Sequence, residues 1–369
     1  MKKIIHVVGA RPNFMKVAPV MDALSTEAQN QGRDFEQILV HTGQHYSPEM
    51  SSLFFDELGL PEPNINLEIG SGGHGQQTGR IMEAFEQVLF EEEPDAVLVV
   101  GDVNSTIACA LDAKKLGIEV IHVEAGLRSG DLSMPEEINR ILTDAISDRL
   151  FITEESATDN LAKEGVDPSR IYFVGNVMID SLLKHREAAL ARDTLEQFSL
   201  PKGGYGLVTM HRPSNVDDPA RLAEIINAIS DTANQLPVLW PIHPRTRGAA
   251  ERFDLADKLD SIENLTLCGP LGYLDFLNCT ANSRLVLTDS GGIQEETTIL
   301  GVPCITARGN TERPITITQG TNQLVASTRD AIHEAVTGVL QTKANGDPTR
   351  VPKYWDGKAG ARIAKQLLS

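Results

Sequence analysis

Short apolar runs alternate with helix-like stretches along nearly the whole of this 369-residue chain. The runs are rich in Val, Ile and Leu and lack polar alternation, which is typical of strands buried on both faces of a parallel sheet. The predicted strands cover residues 4–8, 38–40, 96–100, 120–123, 205–208, 238–240, 285–287 and 303–305. The predicted helices cover residues 76–90, 105–116, 135–146, 219–236 and 331–340. This alternation predicts an α/β fold assembled from right-handed βαβ units.

The alternation pauses once, near Gly175, and resumes after a polar stretch at residues 184–199. We therefore predict two Rossmann-like, doubly wound domains, at residues 1–175 and 176–354. A last short helix within residues 355–369 is too isolated to form a domain, and we expect it to pack back on one of the two. Two such domains facing each other would enclose a cleft, the expected place for a ligand.

Charge and composition exclude several classes of function. Lys and Arg number 33 against 51 Asp and Glu, a formal charge of −18, which argues against a nucleic-acid or anionic-membrane surface. No apolar run approaches the roughly 20 residues that span a bilayer. The N-terminal apolar run breaks too early for a secretory signal, and the four cysteines form no C-x-x-C pair. We expect a cytoplasmic protein without a metal site, membrane contact or nucleic-acid partner.

Polar residues follow several predicted strands, where open parallel sheets bind ligands. In the first half, Arg11 and Lys16 flank a turn into a helix, although a solvated surface pair is the more common explanation for such cations. Asp102 follows one strand and could simply stabilise a helix start. Glu124 ends the next strand and has little structural reason to be there. Adjacent parallel strands would place both acids on one rim.

Further motifs extend this pattern. Glu136 and Arg140 share a helix face at an i, i+4 spacing, for which a stabilised helix start is the simpler interpretation. In the second half, His211 and His243 each end an apolar strand beside an arginine, which favours contact with an anion or a diphosphate.

A Ser-Gly-Gly sequence at residues 290–292 leads from a strand into a helix. Backbone N–H groups at such a helix start can hold a phosphate, although a plain glycine turn is the alternative. Glu296 lies about one turn inside that helix and could accept from a ribose diol, and Arg308 and Arg313 offer cations nearby.

Two dinucleotide-enzyme patterns carry little weight. The G-x-G-x-x-G match at residues 70–75 follows a half-polar segment instead of a buried strand. The Tyr354 to Lys358 spacing resembles that of short-chain dehydrogenases but lies at the extreme C-terminus with a glycine inside. We therefore expect no tightly bound NAD.

Six motifs, in order, resemble those of the non-hydrolysing UDP-N-acetylglucosamine 2-epimerase family. They are Gly-Ala-Arg-Pro at 9–12, Gly-Asp-Val-Asn-Ser-Thr at 101–106, His-Val-Glu-Ala-Gly-Leu-Arg at 122–128, Pro-Glu-Glu-Ile-Asn-Arg at 135–140, Asp-Ser-Gly-Gly-Ile-Gln-Glu-Glu at 289–296 and Thr-Glu-Arg-Pro at 311–314. The resemblance covers most of the chain, and six motifs in one order are far more specific than any one of them.

The resemblance implies a GT-B fold whose terminal helix crosses back to the first domain. It implies interconversion of UDP-GlcNAc and UDP-ManNAc, a UDP-sugar substrate, no cofactor, no required metal and a homodimer. Members of the family eliminate UDP to give 2-acetamidoglucal and then re-add it after protonation of C2 from the other face.

The resemblance assigns roles to the residues of this chain that stand at matching positions of the motifs. The resemblance implies acid/base roles for Asp102, Glu124 and Glu136, with His211 assisting at the diphosphate. The implied substrate-binding residues are Arg11, Lys16, Arg140, His243, Phe276, Ser290, Gly291, Gly292, Glu296 and Arg313. Phe276 resembles the family's uracil-side aromatic, and an ordinary core phenylalanine explains it equally well.

The chain departs from the family pattern after His211-Arg212, after Arg313-Pro314 and at Tyr46-Ser47-Pro48. In bacterial members the last region helps to bind a second, activating UDP-GlcNAc. The departures leave the sugar's identity and allosteric activation open.

Three alternative functions remain. The scaffold could act on a modified sugar such as a diacetamido uronate, or hydrolyse the intermediate to ManNAc and UDP. A GT-B glycosyltransferase would explain Ser-Gly-Gly and the histidines, but not three acids on the first domain's rim. A nucleotide-sugar sensor is disfavoured because every proposed acid is present.

Overall fold

The computed structural model describes residues 1–43, 62–342 and 351–369. These residues fall into two units: the first comprises residues 1–184 with 353–369, and the second comprises residues 185–352. Each unit has a single parallel sheet with its own apolar core, so the predicted architecture of two parallel-sheet α/β domains is confirmed. The Tyr46-Ser47-Pro48 departure and the side chain of Arg11 lie outside what the structure describes.

Thirteen strands are present in the described residues. The first unit contains β1 (Lys3–Val8), β2 (Glu36–His41), β3 (Ile65–Asn66), β4 (Ala96–Val100), β5 (Glu119–Ala125), β6 (Arg149–Ile152) and β7 (Ile171–Phe173). The second contains β8 (Gly206–Thr209), β9 (Val238–Pro241), β10 (Leu265–Cys268), β11 (Leu285–Thr288), β12 (Cys304–Ala307) and β13 (Asn322–Val325).

The helices lie between these strands. In the first unit they are α1 (Arg11–Gln31), α2 (His74–Glu92), α3 (Asn104–Lys115), α4 (Pro135–Ile146), α5 (Ser156–Lys163) and α6 (Val177–Leu190), which crosses into the second unit. The second unit continues with α7 (Thr194–Gln197), α8 (Pro213–Val216), α9 (Pro219–Ala233), α10 (Pro244–Arg252), α11 (Ala256–Asp260), α12 (Tyr273–Ala281), α13 (Gly291–Leu300), α14 (Ile315–Thr318) and α15 (Arg329–Gln341). The last helix is α16 (Ala359–Leu368), which belongs to the first unit.

Both sheets share one strand order. The first sheet runs β3-β2-β1-β4-β5-β6-β7 and the second runs β10-β9-β8-β11-β12-β13. Both follow the 3-2-1-4-5-6 order of the Rossmann fold, and the first adds a seventh strand. The order reverses between β1 and β4 in the first unit and between β8 and β11 in the second. These two switch points are where the topology favours ligand binding.

The C-terminal helix is held on the first unit by a close backbone contact and a carboxylate. The Asp180 carboxylate accepts from the N–H groups of Ala359 at 3.1 Å and Gly360 at 2.7 Å, at the start of α16. A Cβ on Gly360 would lie 2.5 Å from the carbonyl oxygen of Pro19 in α1, so only glycine permits this approach. Trp355, just before the helix, is buried and donates to the Thr153 carbonyl.

Within the described ranges, none of the helices has the length and apolar character needed to cross a bilayer.

Candidate active site

At the switch point of the first unit, the Asn13 side chain joins the ends of β1 and β4 through hydrogen bonds. The Asn13 amide oxygen accepts from the N–H groups of Gly9 and Ala10, and its amide nitrogen donates to the Val100 carbonyl at 3.3 Å. This places the start of α1, with Arg11 as its first residue, beside the β4 end that leads to Asp102.

Glu124 occupies an irregular position at the end of β5. The register between β5 and β6 shifts between Val123 and Ala125, and Glu124 lies at the shift with φ of 74°. This left-handed conformation is uncommon for a residue with a side chain and costs on the order of 1–3 kcal/mol. A strained carboxylate at a strand end is typical of a functional position. No local sequence pattern predicts this backbone conformation.

Lys16 is the partner of Glu124. Both side chains are buried, and the Lys16 ammonium forms an ion pair with the Glu124 carboxylate. The ammonium also lies against Gly101, because a Cβ built there would be 3.1 Å from Nζ. Lys16 is therefore a cation between the ends of β4 and β5, and not the solvated surface residue that a single lysine most often is.

Asp102 is held by the helix that follows. Its carboxylate forms an ion pair with Arg140 of α4, and its carbonyl accepts from Asn139 at 2.9 Å. The side chain of Asp102 is a quarter exposed, whereas that of Arg140 is buried. The acid is therefore fixed in direction and still accessible.

Glu137 joins this cluster and was missed by sequence reasoning. Arg140 donates to Glu137 from Nε at 3.0 Å and from Nη2 at 2.6 Å. Glu137 also accepts from the N–H groups of Ser129 and Gly130, and these bonds together with Arg140 keep its pKa low although burial opposes them. The i, i+3 spacing from Arg140 was the available signal. Glu136, the predicted acid, lies half-buried on the first turn of α4.

The switch point of the second unit is built around Asp289. Its fully buried carboxylate accepts from the N–H of His211 at 3.0 Å, from the N–H of Arg212 at 2.9 Å and from the Asn215 amide at 3.1 Å. The ring Nδ1 of His211 lies 3.1 Å from the same carboxylate. Burial opposes ionisation, but the His211 bond and charge and the other donors keep the pKa of Asp289 below its usual value.

The two predicted histidines are neighbours. The ring centroids of His211 and His243 are 5.5 Å apart, and the Nδ1 atom of His243 accepts from the N–H of Arg245 at the start of α10. The His211 side chain is 41% exposed, so a ligand can reach its free edge. The structure thus places these two histidines side by side at the ends of β8 and β9.

The Ser-Gly-Gly sequence opens α13, as predicted. Ser290 precedes the helix, and its N–H donates to the Thr288 hydroxyl at 3.0 Å. A Cβ on Gly291 would lie 2.6 Å from both the Arg313 guanidinium and the Glu312 carboxylate. The helix start therefore lies directly beside a buried cation, and this arrangement suits an anionic ligand.

Arg313 is fixed by two carboxylates. Its Nε lies 2.7 Å from Glu295, and Nη1 pairs with Glu312. Arg308 pairs with Glu312 at 2.9 Å, and Arg212 approaches within 3.8 Å. Burial alone would raise the pKa of the Glu312 carboxyl, but the charges of the three arginines outweigh burial and bring it below its ordinary value. The carboxylate is therefore ionised.

Glu296 and Phe276 belong to the second unit. Burial raises the pKa of Glu296 to about 8, the charge of Glu295 adds to the rise, and a hydrogen bond with Tyr273 opposes it. Phe276 is partly buried and packs against an apolar cluster that includes Tyr205, Leu207 and Cys279. The substrate-binding roles that the family resemblance implies for Glu296 and Phe276 stay predictions.

The chemistry available to each unit follows from these contacts. The first unit presents carboxylates held by cations, which can move protons. The second presents cations, a histidine and a helix start, which can hold a diphosphate. In the described part of the chain, no group of three or more His, Cys, Asp or Glu side chains is arranged to hold a metal ion.

Comparisons with known proteins agree with these observations. The model of the UDP-N-acetylglucosamine 2-epimerase family matches residues 27–368. A UDP-N-acetylglucosamine 2-epimerase homolog of Methanococcus maripaludis is 47% identical, over 99% of each chain. A UDP-2,3-diacetamido-2,3-dideoxy-D-glucuronate 2-epimerase of Pseudomonas aeruginosa is 43% identical, also over 99% of each chain.

Among solved structures, the Methanocaldococcus jannaschii UDP-GlcNAc 2-epimerase in complex with UDP-GlcNAc and UDP superposes with a TM-score of 0.90. It is 43% identical, and the match covers 100% of this chain and 99% of that one. The GT-B-like fold and the resemblance found from six motifs are thereby confirmed. The chain belongs to the UDP-N-acetylglucosamine 2-epimerase family, a family of isomerases.

Proposed function

We propose that this enzyme interconverts UDP-GlcNAc and UDP-ManNAc by eliminating UDP and adding it back. The observation that carries the proposal is the buried Lys16–Glu124 pair at a strained strand end, with Asp102 just after the end of the neighbouring strand β4. Family membership and the relatives' activities support the choice of sugar nucleotide.

The reaction explains why both kinds of group are present. The hydrogen on C2 is not next to a carbonyl, so a base alone removes it slowly. Departure of UDP must first build positive charge at C1, and the departing diphosphate must be stabilised. We assign that role to His211, Arg313 and the start of α13 at Gly291, with His243 and Glu296 as further contacts to the nucleotide.

Protons must then leave and reach C2 on opposite faces of the sugar. This requires more than one acid/base group, a role that we assign to Asp102, Glu124 and Glu136. Arg140 holds Asp102, and Lys16 holds Glu124, so that each carboxylate keeps one direction. Arg11, Phe276, Ser290 and Gly292 complete the proposed substrate-binding set.

A diacetamido uronate is the second candidate substrate. It is supported by the Pseudomonas aeruginosa relative at 43% identity and by Ile315-Thr316 following the Thr-Glu-Arg-Pro motif. Such a sugar adds a carboxylate and a second acetamido group, and so needs different contacts around the ring. The residues that would make those contacts are not singled out by the motifs.

Incubation of the purified protein with each UDP-sugar, followed by NMR of the anomeric region, tests the proposal. We expect UDP-ManNAc from UDP-GlcNAc, at equilibrium with the starting sugar and without an added acceptor. Conversion of the diacetamido uronate alone would select the second candidate. Release of free ManNAc would indicate hydrolysis, and turnover only with an acceptor would indicate a glycosyltransferase.

We also propose a cytoplasmic homodimer. The four cysteines are unpaired thiols, as expected in a reducing compartment. On α4, Ile138 and Leu142 are 45% and 48% exposed on one face, which supports an apolar contact with a second copy. Sedimentation should give twice the mass of one chain, and Leu142→Asp should give a single chain. A single chain for the wild type would contradict the dimer.

A further inference from the structure

His122 lies on β5, behind the edge that carries the proposed acids, and is completely buried. Its Nδ1 atom lies 2.7 Å from the Asp144 carboxylate, and its Nε2 atom lies 2.9 Å from the Gly101 carbonyl. Both partners accept hydrogen bonds, so both ring nitrogens must donate. The ring therefore connects β5 simultaneously to the end of β4 and to α4.

Asp144 extends this connection around the end of β5. Its second oxygen accepts from the N–H of Gly126 at 3.0 Å and pairs with Arg128 at 2.8 Å. Burial raises the pKa of Asp144, but the His122 and Arg128 charges and bonds outweigh it, so the pKa is lowered and the acid is an anion. A charged, fully buried aspartate with three donors is a rigid anchor.

The anchored positions lie directly beside the two proposed acids. Gly101 precedes Asp102, and its N–H also donates to the Val123 carbonyl at 3.2 Å. His122 and Gly126 lie two residues before and two residues after Glu124, whose φ is 74°. Strain at one residue persists only when its surroundings hold it in place. The His122–Asp144 pair fixes the backbone at the ends of both β4 and β5.

We propose that His122 and Asp144 are positioning residues that set the mutual geometry of Asp102 and Glu124. Neither touches the substrate in this role: they act through the backbone of Gly101 and Gly126. The inference rests on the proposed function, because it concerns the proton transfers that the two acids perform.

Two amide variants of His122 each keep one of its two hydrogen bonds. In His122→Asn, the amide nitrogen takes the place of Nδ1 and keeps the Asp144 bond, whereas in His122→Gln it takes the place of Nε2 and keeps the Gly101 bond. The matched controls are His6→Asn and His6→Gln. His6 is also fully buried on a strand of the same sheet, but its Nε2 atom bonds to Gln37, away from both acids.

Steady-state kinetics with UDP-GlcNAc, together with Tm and UDP affinity, test the inference. We expect kcat to fall ~10- to 100-fold in both His122 variants, because small displacements of reacting groups are this costly. KM and UDP affinity should stay within about twofold, since the nucleotide contacts are elsewhere. The His6 controls should lose a similar amount of Tm and keep kcat.

The possible results are distinct. A kcat in the His122 variants equal to that in the His6 controls would overturn the inference and leave the proposed function standing. A wild-type enzyme that turns over neither UDP-GlcNAc nor the diacetamido uronate would overturn both. If His122→Asn does not fold, His122→Gln and Asp144→Asn provide the same comparison of kcat with KM.

Discussion

At the scale of single residues, Glu124 is the most unusual of the proposed acids. Its φ of 74° places a side chain in a conformation that glycine prefers, and its carboxylate is buried against Lys16. A substitution that keeps the shape and removes the charge should therefore separate chemistry from folding.

Glu124→Gln should lower kcat by ~10²-fold or more, the usual contribution of a general acid or base. UDP affinity should be nearly unchanged, because we assign UDP to the second unit. Initial rates by NMR and calorimetric titration with UDP measure the two quantities. Glu154→Gln is the control, since Glu154 is a buried glutamate that follows the neighbouring strand β6. Wild-type turnover in Glu124→Gln would remove this residue from the mechanism.

Glu296 leads to a prediction about pH and stability. Its pKa is about 8 in the native protein against an ordinary value of 4.5, chiefly through burial. Between these values the native state binds more protons than the unfolded state, so the free energy of unfolding falls as pH rises, by up to ~1.4 kcal/mol per unit. Glu296→Gln removes this contribution.

Denaturant unfolding of both proteins at pH 5 and pH 8 checks this prediction. The free energy of unfolding of Glu296→Gln, relative to that of the wild type, should be higher at pH 8 than at pH 5. A difference that does not change with pH would show that Glu296 is ionised throughout this range.

At the scale of elements, the sequence predicted every inner strand except β6 and none of the edge strands. β1, β4, β5, β8 and β11 are buried over nearly their whole length, and each contains a run of Val, Ile or Leu. The edge strands β7, β10 and β13 are mostly half-buried. β10 and β13 mix polar with apolar residues, so their sequences resemble loops, and β7 has only three residues. β3 has only two residues.

The same contrast holds in the candidate site. Asp102, Glu124, His211 and Ser290 follow buried strands, and the strand-end rule predicts their location. The Lys16–Glu124 pair, the bulge at Glu124 and the Arg140–Asp102 contact arise from tertiary packing between separate elements. No local pattern in the sequence encodes such contacts.

Two glycines test the docking of α16 on α1. Gly360→Ala would place a Cβ 2.5 Å from the Pro19 carbonyl, a rigid backbone atom, and should lower stability by ~1–3 kcal/mol. Gly79→Ala in α2 of the same unit meets nothing within 4 Å and should raise stability by ~0.5–1 kcal/mol. Denaturant unfolding measures both. Equal effects of the two substitutions would show that α16 is not closely docked.

At the scale of the whole molecule, two sheets of the same topology carry different kinds of groups. We propose that acids of the first unit exchange a proton with C2, and that cations and a helix start of the second unit hold the diphosphate. In this proposal the new C2 proton comes from an acid in exchange with solvent after UDP has left.

Turnover of UDP-GlcNAc in D2O, followed by NMR and mass spectrometry, tests that claim most directly. We expect every molecule of UDP-ManNAc formed to carry deuterium at C2, because an ionisable side chain delivers the new proton from solvent. UDP-ManNAc that retains the original hydrogen at C2 would contradict the proposal, because the new C2 proton would then not have come from an acid in exchange with solvent.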